Sequence, residues 1–177
     1  SFWGDKTYPP HADIFHLDNL KYLFINAKPI NFIYAEKLQY STTNNIAKVL
    51  SNCINLLTRR GFKIKRIFLD PAQSNINMRY KFPGVEVTIV GADTHVSIAE
   101  NGIKQLKNAI RKIKLSLPFE IPTVLHHHLV WYACTRINMI PHDSGIGISA
   151  REAITGLKLD YTIDLKLKFG DYVQILQ

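Results

Sequence analysis

Between about residues 97 and 117 the chain carries two stripes that only a helix can keep apart. Ile103, Leu106, Ile110, Ile113 and Leu117 recur at helical spacing and form an apolar side. Glu100, Lys104, Lys107, Arg111 and Lys114 alternate spacings of four and three. At about 100° per residue these five fall within roughly 80° of one another, on a face centred roughly 100° from the apolar one. Such a helix has to bury one side against other structure and leave its neighbouring, charged side in water. Pro118 is its expected stop.

The segments before it read as strands and one more helix. Residues 11–17, 22–25 and 31–35 are rich in aromatic and β-branched residues, and Asp18-Asn19 is a turn signal, so an antiparallel meander is expected. Thr42 or Thr43 caps a helix built on Ile46, Val49, Leu50, Cys53, Ile54 and Leu57, which Gly61 stops. Residues 63–69 read as a strand ending at Asp70-Pro71, 71–83 as a polar loop and 85–90 as a further strand. Pro122 suits the first turn of a helix reaching about residue 137, apolar nearly all round and therefore expected to be buried or at a subunit contact. Ser149-Ala150-Arg151-Glu152 matches a capping box and Gly156 a helix stop, and residues 169–174 read as a strand. A meander followed by helix-linked strands is an α/β layer plan.

The chain has 177 residues and a net charge of +8, with 22 basic and 14 acidic residues. Residues 97–116 hold five cations against Glu100, half of that excess on one helix, which points to a nucleic-acid partner. No apolar run approaches the roughly 20 residues of a bilayer span, and no membrane partner is expected. The start lacks the pattern of a signal peptide and lacks an initiator Met, so a fragment of something longer is expected. Cys53 and Cys134 lie in apolar helical patterns and read as buried thiols, and no Cys/His spacing suits a zinc finger.

Three acids stand out. Asp13 interrupts an apolar strand, where a charge is costly unless paired or bound to metal. Asp70 ends a strand, where sites gather in open α/β sheets. Glu100 opens the charged stripe. Were the long helix to cross the strands of Asp13 and Asp70, the three carboxylates would converge, and an oxygen-only set selects Mg²⁺ or Mn²⁺. Two such ions can assist an in-line phosphoryl transfer. Plainer roles remain open: Ser97 and Glu100 also fit a capping box, Asp70 could start a turn, and Asp13 could pair with a core cation. His95, five residues before Glu100, could touch DNA or orient a ligand. Glu36 and Asp93 are spare acids, Asp93 the better substitute for Glu100. His126-His127-His128 do not share a helix face, so they read as buried or interface histidines and not as one metal site.

These residues resemble the catalytic core of retroelement integrases, the ribonuclease-H-like polynucleotidyl transferases of retroviruses and LTR retrotransposons, nearest to the copia-like polyproteins. The resemblance runs through Ala12-Asp13-Ile14-Phe15, Arg60-Gly61-Phe62, Ile67-Phe68-Leu69-Asp70, Ala92-Asp93-Thr94-His95-Val96 into Ile98-Ala99-Glu100, then residues 149–156 and 169–173. It implies a mixed five-stranded sheet flanked by helices. It implies a metal triad of Asp13, Asp70 and Glu100 using Mg²⁺ or Mn²⁺, and DNA contacts from Lys104 and Lys107, with Arg111, Lys114 and His95 as further candidates. It implies DNA 3′-end cleavage and strand transfer, homo-oligomers on DNA ends, and action in the nucleus of a host cell. The core is expected over residues 1–140, with a C-terminal extension over 141–177. Pro71-Ala72-Gln73-Ser74 stand where the family carries a glycine- and glutamate-bearing run, and 29 residues separate Asp70 from Glu100, a somewhat shorter gap than usual. A catalytically inactive DNA- or protein-binding module, or a ribonuclease-H-like nuclease, are the alternative readings.

Overall fold

The structure, a computed structural model, describes residues 7–70, 76–90, 96–142 and 146–171. Three strands open the fold, β1 (Pro10–Leu17), β2 (Leu20–Ala27) and β3 (Phe32–Lys37). They form the expected antiparallel meander, and each runs somewhat longer than its sequence pattern indicated. Asp18 and Asn19 turn β1 into β2 with φ of 48° and 63°, the left-handed pair that a tight hairpin needs. Helix α1 (Thr43–Arg59) starts at Thr42, whose side chain accepts the Asn45 N–H, and Gly61 at φ 87° ends it. Strands β4 (Arg66–Leu69) and β5 (Glu86–Ile89) follow. The sheet order is β3-β2-β1-β4-β5, with β4 and β5 parallel to β1.

Strand alternation divides the sheet between two cores. Ala12, Leu23, Ile25, Ile67 and Leu69 pack with α1 on one face. Phe15, Tyr22, Phe24 and Ile33 pack on the other with α2 (Val96–Ser116) and α3 (His126–Asn138). The apolar stripe of α2 is the side that is buried, as its spacing required. Glycine at position 102 lets α2 approach the sheet: a Cβ there would stand 2.4 Å and 2.7 Å from two ring carbons of Phe24, which is itself fully buried. On the outer edge of β3, Asn138 of α3 acts as a substitute strand. Its amide oxygen accepts the Ile33 N–H at 2.9 Å and its amide nitrogen donates to the Ile33 carbonyl at 2.7 Å, covering part of an open edge.

Several expectations need correction. The segment taken as a polar loop contains a 3₁₀ turn, Ile76–Lys81, that drops Met78 into the α1-side core with no exposed surface. Ile76, Met78, Tyr80 and Phe82 fall at every second position, a spacing that suits a strand and gives no sign of a 3₁₀ turn. Helix α3 is not buried all round: Leu129, Val130, Ala133 and Cys134 face the core, whereas Trp131 is 65% exposed. The strand expected over 63–69 pairs from Arg66, with Lys63 in an isolated bridge to Thr7. Phe169 and Gly170 lie in a turn, not a strand, and residues 172–174 lie outside the described residues.

Two short helices complete the chain, α4 (Ala150–Thr155) and α5 (Tyr161–Asp164). The Ser149–Glu152 capping box forms in full, and Gly156 closes α4 at φ 71°. Ala153 joins the α1-side core, and the Arg136 guanidinium of α3 donates to the Asp164 carbonyl at 3.3 Å. Among the described residues no helix is long and apolar enough to cross a membrane.

Gly102→Ala should lower stability by about 1–3 kcal/mol through overpacking against Phe24, even though Ala favours a helix by about 1 kcal/mol. A fall in the denaturant midpoint with an unchanged slope checks this, and a rise would show that the ring gives way freely. Cys53 and Cys134 are free and buried, and burial pushes the Cys134 thiol up to about 12 and Cys53 higher still. Both stay protonated at neutral pH, so a thiol reagent should label neither until denaturant unfolds the chain.

Candidate nucleic-acid site

Parallel pairing of β1 with β4 is two residues deep, His11 with Phe68 and Ala12 with Leu69. The next residue on each strand is an aspartate, so Asp13 and Asp70 leave the paired region side by side. Alternation sends Ala12 and Leu69 into the α1-side core, which turns Asp13 and Asp70 to the α2 side. Both line one cleft of about 20 Å³ with His11, Phe68, Val90 and Ala99. That is room for about one water-sized body. The His11 ring stacks on Phe68, 4.6 Å between centroids, which closes the cleft's inner end. Asp13 is half-buried, and its Oδ1 accepts the Ile14 N–H at 2.7 Å.

Asp13 also faces a second, wider space. A groove of about 610 Å³ runs between the outer half of β1, with Phe15 and His16, and α2, with Glu100, Lys104, Lys107, Asn108 and Arg111. It continues past His16, Lys107 and Arg111 as a trough of about 450 Å³. Lys104, Lys107 and Arg111 are exposed along it, and the Lys107 ammonium sits 5.8 Å from the centre of the Phe15 ring. The cationic ridge is therefore a solvent face beside an acid, with its apolar neighbours turned into the core.

The three acids meet pairwise and not as one set. Asp13 shares the narrow cleft with Asp70 and the wide groove with Glu100, but among the described residues no three His, Cys, Asp or Glu side chains group closely enough to hold a metal. Glu100 stands exposed on α2, where water solvates it. The capping role weighed for Glu100 also falls away. The helix begins at Val96, so Ser97 is inside it, whereas an N-cap is the non-helical residue before the first turn.

Lys114 lines the same trough as Lys107 and Arg111 and pairs there with Asp18 at the β1–β2 turn. Other candidates lie elsewhere. His126 meets the same carboxylate, its Nδ1 3.2 Å from Asp18 Oδ2, with Nε2 3.1 Å from the Ile121 carbonyl. His126 is buried and His127 and His128 are exposed, so the three share no site. Glu36 is on the α1 side of the sheet, accepting from the Tyr34 hydroxyl at 2.5 Å and from Asn52, and is no spare acid for the groove. Burial and then the Glu36 carboxylate raise the Tyr34 phenol, which holds that hydrogen bond in its protonated form. His95 and Asp93 lie outside the described residues. Sequence reasoning missed His16 and Asn108 as groove residues, although Asn108, four past Lys104, extends the charged stripe.

No protein-family model matches this sequence, and neither does any curated protein. A solved structure similar to this one is the catalytic core domain of BIV integrase, with a TM-score of 0.66 over 85% of this chain and 95% of that one. The fold is ribonuclease-H-like. The two sequences are 13% identical, so the likeness speaks for the fold alone.

Glu100→Ala should change stability by no more than about 0.5 kcal/mol, since Glu100 is exposed and lies past the first turn of α2. Thermal unfolding checks this, and a loss of about 1 kcal/mol or more would restore a capping role.

Proposed function

We propose that this chain is an integrase-type polynucleotidyl transferase core, acting on DNA ends and joining them to target DNA. The observation that carries the reading is the double membership of Asp13, which lines the cleft with Asp70 and the groove with Glu100 and the exposed Lys104, Lys107 and Arg111. A DNA strand in that groove would pass its phosphates along the cations with the acids at one end.

The acids suit Mg²⁺ or Mn²⁺. Their donors are all oxygen, and Mg²⁺ needs only one or two carboxylates when substrate phosphates supply other ligands, so pairs sharing Asp13 suffice without a closed three-acid cage. When bound, such ions neutralise charge on the attacking and leaving oxygens of an in-line displacement. Asp13 and Asp70 would hold one position and Asp13 with Glu100 the other. Lys104, Lys107 and Arg111 would grip and orient the strand. In end cleavage water attacks the phosphorus and a 3′-hydroxyl leaves. In joining, that hydroxyl attacks a target phosphodiester, one P–O bond forming as another breaks and the hydroxyl proton passing to solvent. Homo-oligomers on DNA ends and nuclear action belong to the same proposal, as does origin in an LTR retrotransposon.

The inactive-module reading keeps one observation in its favour, the lack of a grouped three-acid set among the described residues. A DNA-end joining assay with Mg²⁺ or Mn²⁺ decides between them. The full chain should join ends, and Asp13→Asn should reduce joining by roughly 10²-fold or more while leaving DNA binding intact. No joining by the unaltered chain, with DNA binding retained, would favour the inactive module, and preferential cutting of an RNA–DNA hybrid would favour a ribonuclease.

Salt dependence tests the ridge separately. Lys107→Ala should flatten the plot of log affinity for duplex DNA against log salt by about 0.9, the worth of one phosphate contact. Lys114→Ala should leave the slope unchanged, because its partner is Asp18. Equal effects from both would mean that the ridge is not read residue by residue.

A further inference from the structure

Helix α2 has a third face. Asn101, Gly102 and Gln105 lie roughly 100–200° around it from Glu100 and line a separate cavity of about 250 Å³, reached from the ends of β2 and β3 and the end of α3. Its chemistry differs from that of the groove. No carboxylate is among the described residues lining it, and its polar residues are the amides of Asn26, Asn31, Asn101 and Gln105 with Lys28 and His142.

Two groups in it lack what they need. Asn26 is 6% exposed, lines the cavity, and its Oδ1 has no hydrogen-bond partner. A buried acceptor left so costs about 1–3 kcal/mol, which a donor arriving in the cavity would recover. Lys28 is half-buried, and its ammonium bonds to the Asn31 amide oxygen, a neutral group that leaves the positive charge unbalanced. Ile33 and Ile137 supply apolar wall between these polar groups. A ligand that answers all three has an N–H donor, carbonyl or ring-nitrogen acceptors for the amides, a flat apolar body and an anionic end. Amide side chains pair in two-pronged fashion with the edge of adenine.

We propose that this cavity is a nucleotide site distinct from the acids, with Asn26, Asn101 and Gln105 meeting the edge of a purine base and Lys28 its phosphate. The nucleotide could be free or the last one of a DNA strand, and the chemistry of recognition is shared. The site does not depend on the transferase reading, since none of its residues lies in the acid cleft or the basic groove.

The test is an NMR titration of the full chain with deoxyadenosine monophosphate, deoxyadenosine, inorganic phosphate and a short single strand ending in deoxyadenosine. The monophosphate should shift Asn26, Asn101 and Gln105 saturably. Gln105→Glu, on the exposed side of α2, should weaken binding of monophosphate and nucleoside alike about tenfold or more by removing an amide donor from the base edge, and Lys28→Met should weaken the monophosphate but not the nucleoside. Asp13→Asn should bind the monophosphate as the unaltered chain does, so that loss of joining and loss of this site are told apart. Tighter binding of the monophosphate than of the strand would support the site with a free nucleotide as its ligand, and the reverse would support it with a DNA end. Shifts confined to Lys104, Lys107 and Arg111, equal affinity for nucleoside and monophosphate, or reproduction of the shifts by phosphate alone would each overturn the proposal.

Discussion

The register between β1 and β4 sets everything on the α2 side of the sheet. Because side chains alternate, a slip of one residue would swing Asp13 from the groove into the core that α1 covers, among Leu23, Ile25, Ile67 and Leu69. An unpaired carboxylate there would be strongly disfavoured, so the apolar residues flanking Asp13 help to fix its orientation as well as to fill the core. The pairing is short, and that is what makes it useful. Were β4 to continue alongside β1, the two aspartates would be locked into a ladder instead of standing at its open end.

Helix α2 turns this edge into a site by dividing its circumference. One side, from Ala99 to Ile110, seats on Phe15, Tyr22 and Phe24, and Gly102 removes the side chain that would hold it off. A second side lays Lys104, Lys107 and Arg111 beside Asp13. Their positive potential draws in polyanions. Lys114, one turn further, lines the same trough but is paired with Asp18 where the β1–β2 turn meets the helix end. Spacing alone places Lys114 in the stripe, and only the hairpin turn, distant in sequence, gives it a partner.

That difference marks the general boundary of what this chain discloses before folding. Elements with strong period or punctuation were legible: the amphipathic α2, the Thr42 start of α1, the Asp18-Asn19 turn, the antiparallel meander and the Ser149–Glu152 box, whereas the mixed sheet came from the family resemblance. Features made by one residue crossing a long sequence distance were not. Met78 enters the core from a short 3₁₀ turn, and Asn138 mimics a strand for Ile33, 105 residues away. Neither has a local signature, since what each satisfies is a partner brought by the fold. The acids fall between these cases. Asp13 could be singled out because a charge inside an apolar strand is costly, and Asp70 because it ends one. Their shared cleft depends on the β1–β4 pairing, and the exposed stance of Glu100 on where α2 begins.

The pairwise meeting of the acids has a physical logic of its own. Three carboxylates packed together would repel, and the fold would have to hold them against that repulsion whatever else were present. Splitting the set puts the two strand acids in a cleft with room for about one water-sized body and leaves the helix acid in solvent across a wider groove. Among the described residues only Asp13 lines both spaces. Lys104, Lys107 and Arg111 stand exposed along the groove that Asp13 shares with Glu100, so the cationic ridge and these two acids face the same solvent.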